Sequence, residues 1–299
     1  MGDAKTVLLV VLALLAAAFA VAWVARLRAA ANEADADAGR PSAGSIAIGA
    51  LTNFFDTLGV GSFAPTTWLF RSFGMVPDRL LPGTLNVGHA LPSVAQALIF
   101  IAIVEVETWT LALMVAASIA GAWFGAGIVS RWSRRRVQLG MGMALLAAAA
   151  LLARQMLLGA PLGADALGLS GVHLATGVAG NLVLGALMQI GVGLYAPCMI
   201  LVSLLGMNAK AAFPIMMGSC AFLMPVAGMR YVERRAYAPS VALGLTIGGI
   251  PAVLVAAYVV RSLPLGAVRV LVLVVAIYTA LSMLAASRRT AVGTPDLQS

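Results

Sequence analysis

Charge is scarce in this chain. Only 10% of its 299 residues are Asp, Glu, Lys or Arg, while 62% are hydrophobic. A water-soluble domain of this length needs more polar side chain to cover its surface, so a soluble globular fold is excluded. Cysteine is nearly absent as well. Cys198 and Cys220 both lie in apolar stretches, with neither a CxxC spacing nor a secreted disulfide pattern. No basic stripe with interleaved aromatics accompanies the net charge of +8, which argues against a nucleic-acid partner. Hydrolase, kinase and dinucleotide motifs are missing. The Gly-x-Gly elements lack the strand–helix setting of a phosphate loop, so the chain reads as no enzyme and calls for no cofactor. Extended polar sequence is confined to "RLRAAANEADADAGRPSAG", residues 26–44, which reads as a linker.

What is present is apolar sequence in runs of about 20 residues, the length that crosses a bilayer core. The mean hydropathy is +1.00. The expected fold is therefore an all-α polytopic membrane protein in the lipid bilayer. Its first run, Thr6 to Ala25, is too long for a signal peptide, and Arg26 and Arg28 follow it. It reads as an uncleaved N-terminal anchor (residues 1–26) rather than a removed leader. A polar linker (27–43) comes next. A first repeat (44–158), a low-charge loop (159–172), a second repeat (173–287) and a cytoplasmic tail (288–299) complete the chain.

Each repeat contains one interrupted stretch, 45–73 or 173–205, followed by three ordinary spans. If each interrupted stretch crossed once, the basic loops 130–136 and 230–235 would face opposite sides. If each is a hairpin of two short helices, both loops are cytoplasmic, and so are fourteen of the nineteen Lys and Arg residues. The charge bias selects the hairpins. The two repeats are then inverted in the membrane, an architecture of secondary transporters with the site at the repeat interface.

The repeat is visible in the letters. Residues 59–82 and 191–214 align without gaps with nine identities in 24 positions, including Gly59/Gly191, Gly61/Gly193, Pro65/Pro197, Gly74/Gly206 and Pro82/Pro214. Gly-x-Gly lets two short helices turn within the bilayer, and a proline four residues on fits the first turn of the next helix. The expected new helices start near Ser62 and Leu194. Their N-terminal N–H groups offer an anion site without any buried Lys or Arg. Two small-residue pairs elsewhere, "GAWFG" (121–125) and "GLTIG" (244–248), read as close helix packing instead.

Polar residues in the spans are the remaining candidates. Asp56 precedes the first Gly-x-Gly and suits either proton coupling or capping of the break; Met188 and then Gln189 stand in the second copy. Thr84 and Asn86 can line a cavity, and Ser219 is their counterpart. His89 reads first as an interhelical contact and second as a proton carrier. Methionines cluster in the second half around Cys198 and Cys220, where soft-metal ligation and plain packing compete and packing is favoured.

The doubled "GVGxxAP" phrase, followed by "GMVPDRLLPGTLN" in one half and "GMNAKAAFP" in the other, resembles the sulfite exporter TauE/SafE family of membrane permeases. The resemblance covers about residues 45–286. It implies transport of sulfite, organosulfonates or related small anions across the bacterial inner membrane, commonly as export. It carries the motif to Gly59, Gly61 and Pro65, and to Gly191, Gly193 and Pro197. This chain departs from the glycine-richer family pattern at Ser62-Phe63 and Leu194-Tyr195. A small anionic substrate, the bilayer and protons as coupling ion are the expected partners. The competing expectations are a non-transporting anchor or sensor subunit and a soft-metal permease. Oligomeric state is not legible.

Overall fold

The computed structural model describes residues 2–32, 40–129, 133–157, 166–188 and 194–292. They form helices α1 (Gly2–Asn32), α2 (Ala43–Thr57), α3 (Phe63–Ser72), α4 (Leu81–Gly88), α5 (Ala90–Ile103), α6 (Thr108–Val129), α7 (Arg134–Leu157), α8 (Gly171–Met188), α9 (Tyr195–Leu204), α10 (Ala212–Glu233), α11 (Pro239–Ser262) and α12 (Leu265–Val292). No strand occurs among the described residues, and six spans are long and apolar enough to cross a membrane. The chain is an all-α polytopic membrane protein.

Both interrupted stretches end one helix and start a second, ten-residue one. In the first, α2 stops at Thr57, Gly59 and Gly61 take left-handed angles (φ 99° and 84°), and α3 begins at Phe63 with Ser62 as its N-cap. In the second, α8 stops at Met188 and α9 begins at Tyr195 with Leu194 as its N-cap. Gln189, Gly191 and Gly193 lie outside the described residues. Each short helix has ten residues, roughly 15 Å, against the expected thirteen. They end early because Gly74 (φ 60°) and Gly206 (φ 90°) close them with identical bonds. Gly74 and Met75 N–H donate to Arg71 and Phe70 carbonyls; Gly206 and Met207 N–H donate to Ser203 and Val202. This left-handed C-terminal cap explains the repeated "GM".

Two compact units divide the chain, Met1–Thr108 with Phe213–Leu263, and Trp109–Ala212 with Pro264–Ser299. Neither coincides with a sequence repeat. In the first unit α11, from repeat two, packs on α2, from repeat one. A Cβ at Gly248 would meet the Ile46 carbonyl, one at Gly244 the Ser45 side chain, and one at Gly49 the Leu245 backbone. In the second unit α6, from repeat one, packs on α8, from repeat two. There Gly121 faces the Leu182 backbone and Gly185 the Ser118 backbone. Each repeat thus lends the second of its three spans to the other's hairpin, and Gly121, Gly244 and Gly248 of the small-residue pairs serve the close packing expected of them.

The expected span 84–104 is broken at His89, between α4 and α5. The cause is Pro92. It has no N–H for the Gly88 carbonyl four residues back, and Thr246 Oγ1 of α11 supplies the bond instead at 2.8 Å. Within the same unit α1 packs on α5 through a stripe of Leu12, Phe19 and Trp23, while Val7, Leu14 and Val21 on its other faces stay exposed. Trp23 Nε1 donates to the Tyr237 hydroxyl at 3.1 Å, and burial pushes the Tyr237 pKa up, which keeps that hydroxyl neutral. Helix α1 also runs on to Asn32, past the expected linker boundary, because "RLRAAAN" is rich in strong helix formers.

Candidate functional site

Around the first break the helices aim polar side chains at one another. Asn53, Asp56 and Thr57 lie on one face of α2 at positions i, i+3 and i+4, and all three are buried. Thr66 stands one turn into α3. His89, Ser93 and Gln96 form a polar stripe on α4 and α5 at i, i+4 and i+7, each no more than 1% exposed. The helical period carries each set to a common face.

The bonds among them are specific. Gln96 Nε2 donates to Asp56 Oδ2 at 2.9 Å and to Thr57 Oγ1 at 3.0 Å. Thr57 Oγ1 donates to the Asn53 carbonyl at 2.8 Å. His89 Nδ1 lies 3.0 Å from Asn53 Oδ1, and His89 Nε2 lies 3.1 Å from Thr66 Oγ1. Thr66 Oγ1 also lies 2.7 Å from the Ser62 carbonyl, so its one hydrogen has two acceptors within reach. Phe63, the first residue of α3, packs its ring 6.0 Å from the His89 ring. One network therefore ties α2, the N-terminus of α3 and the α4–α5 joint together. A buried polar network of this kind rigidifies its surroundings when satisfied, and an ionisable pair within it is a place to hold a proton.

The break itself offers dipoles. The first-turn N–H groups of α3 have no partner within the helix, and Pro65 has none to offer. The Ser62 side chain makes no capping bond although the residue is only 4% exposed. Nothing stands within 4 Å of where a side chain on Gly61 would begin. Among the described residues no Lys or Arg is buried, so this break has no buried cationic side chain beside its N–H and O–H dipoles.

The other sequence candidates fall elsewhere. Thr84 Oγ1 donates to the Leu80 carbonyl at 2.8 Å and accepts from Ala238 N at 2.9 Å, which holds the start of α11 against α4. Asn86 Nδ2 donates to the Pro82 carbonyl and Ser219 Oγ to the Ile215 carbonyl, both within their own helices. Pro197 is buried in the first turn of α9, where Cys198 N–H closes the turn onto the Leu194 carbonyl. The structure thus brings Asp56, Ser62 and His89 into one network, with Thr84, Asn86 and Ser219 bonded outside it. It adds Asn53, Thr57, Thr66 and Gln96, which sequence reasoning missed. Their signal was the polar stripe at helical spacing inside apolar helices.

Sulfur is divided between the units. Cys220 and Met224 lie in the first, where Ser93 Oγ donates to Met224 Sδ at 3.3 Å; Cys198 and Met199 lie in the second. Among the described residues no three His, Cys, Asp or Glu side chains gather as metal ligands would. No family model, no curated protein and no solved structure matches this chain.

Proposed function

We propose that this chain is a secondary transporter for small oxyanions, sulfur-containing ones such as sulfite or organosulfonates first, in the bacterial inner membrane. The observation that carries the reading is the N-terminus of α3. Two left-handed glycines open the backbone there, and the buried N-cap Ser62 leaves its hydroxyl uncommitted. A helix N-terminus of that kind stabilises an anion without a charged side chain. The start of α9 follows the same letters in the second copy, where Gly191, Gly193 and Pro197 align with Gly59, Gly61 and Pro65. Resemblance to the TauE/SafE permeases, which rests on these motif residues, points to the same substrate class.

Asp56 and His89 supply the coupling. A carboxylate beside an anion site repels the ligand until it is protonated, so proton and anion bind together. Export driven or balanced by the proton gradient follows.

The test is sulfite flux in proteoliposomes, with and without an imposed pH gradient, alongside taurine and sulfate. Gradient-dependent flux that Asp56→Asn removes supports proton-coupled anion transport. Flux indifferent to the gradient keeps the anion site and reduces Asp56 to a structural group. No flux of any of the three anions sinks the transport reading.

A further inference from the structure

We propose that the Thr66 hydroxyl is a two-position hydrogen-bond switch that registers the protonation state of His89, with Asn53 as the positioning residue that fixes the ring. The argument is a count of donors and acceptors. Asn53 Nδ2 donates to the Gly49 carbonyl at 2.7 Å. Turning the amide over would set two carbonyl oxygens against each other, so Oδ1 faces His89 Nδ1. An amide oxygen only accepts. His89 Nδ1 therefore carries a hydrogen in both charge states, and the neutral ring has a bare Nε2.

That bare nitrogen needs a donor, and the Thr66 hydroxyl is 3.1 Å away. The same hydroxyl is 2.7 Å from the Ser62 carbonyl. It has one hydrogen and two acceptors. With His89 neutral, the hydroxyl donates to Nε2, and the Ser62 carbonyl keeps only the Thr66 N–H bond at 3.0 Å. A proton from the aqueous phase then adds to the Nε2 lone pair. The new N–H donates to Thr66 Oγ1, and the hydroxyl turns to donate to the Ser62 carbonyl. Nothing else is made or broken. The protonation state of a side chain on the α4–α5 joint is thereby written onto the N-cap of α3, where the Gly-x-Gly break ends.

The charged surroundings are sparse. On α2 the buried carboxylate is Asp56, one turn beyond Asn53, and it accepts from Gln96 Nε2. Cys220 is the buried thiol on α10. Arg71 on α3 pairs with Asp78 at the surface, and Arg79, Arg230, Glu233 and Arg261 are exposed at the ends of their elements. Lys5 of α1 donates to the carbonyls of Ala102 and Val104 at the end of α5. A link from this switch to flux rests on the transport reading above; the tautomer does not.

The experiment is 15N NMR of labelled histidine in the full chain in lipid nanodiscs. The chain has two histidines, and His173 is exposed, so His173→Gln assigns the spectrum without touching the network. Neutral His89 is expected as the Nδ1–H form, with Nε2 gaining its hydrogen on acidification. A neutral His89 with hydrogen on Nε2 overturns the proposal. Asn53→Leu is expected to release the ring to a mixture of tautomers; an unchanged Nδ1–H form removes Asn53 from its role. Thr66→Val is expected to displace the His89 titration midpoint by about one pH unit, and Thr66→Ser to leave it in place. Equal midpoints in all three chains overturn the switch. Failed flux in proteoliposomes would sink the transport reading and leave these spectra to decide on their own.

Discussion

The two short helices α3 and α9 share a backbone pattern and little else. Both short helices have ten residues, both carry proline in the first turn, and both close on a left-handed glycine followed by methionine. The chemistry around them differs. Positions 53, 56, 62, 66 and 89 are Asn, Asp, Ser, Thr and His; their counterparts at 185, 188, 194, 198 and 221 are Gly, Met, Leu, Cys and Ala. Gly185 serves close approach to α6 where Asn53 serves the His89 ring. The repeat therefore preserves what the backbone needs, and of these five positions only the first copy carries an aspartate and a histidine.

The comparison can be broken hardest at the exchanged helix pairs. Gly248→Val should push a side chain into the Ile46 carbonyl, and Gly121→Val into the Leu182 backbone. Each should cost about 3 kcal/mol by overpacking, read as a fall in unfolding temperature in detergent. Similar losses mean that α11 on α2 and α6 on α8 are equivalent contacts; a loss at one alone means that they are not. The polar half gives the next effect. Gln96→Leu removes the donor shared by Asp56 and Thr57 and should destabilise the chain by roughly 2 kcal/mol. Substituting leucine for its apolar-side counterpart, Gly228, meets the Phe19 ring and tests packing alone. The smallest effect should be the most symmetric. Gly74→Ala and Gly206→Ala have open space for a methyl group, so only the left-handed backbone resists, at about 1 kcal/mol each. Unequal values would show that the two caps are not the same structure.

Much of this was legible in the letters. Hydropathy runs located most spans to within a few residues, though 84–104 is broken at His89 and the first helix runs on to Asn32. Gly-x-Gly with the following proline placed the starts of α3 and α9 within one residue. Asp56 and His89 stood out as ionisable groups in apolar helices. Their partners did not, because Asn53, Thr66 and Gln96 are neutral and common, and lie 23 to 40 residues from the groups they bond. Periodicity reports which face of a helix a residue occupies, and says nothing of which helix that face meets.

The sequence by itself determined the class of protein, the rough position of its spans and the starts of the two short helices, since these follow from hydrophobic length and from the backbone limits of glycine and proline. Only the tertiary structure decided that α6 and α11 cross over to the other repeat's hairpin. It alone decided that Thr246 answers the carbonyl freed by Pro92, and that His89 sits between an amide and a hydroxyl with one hydrogen to share. The physical reason is that these are bonds between distant segments, and their partners are chosen by packing.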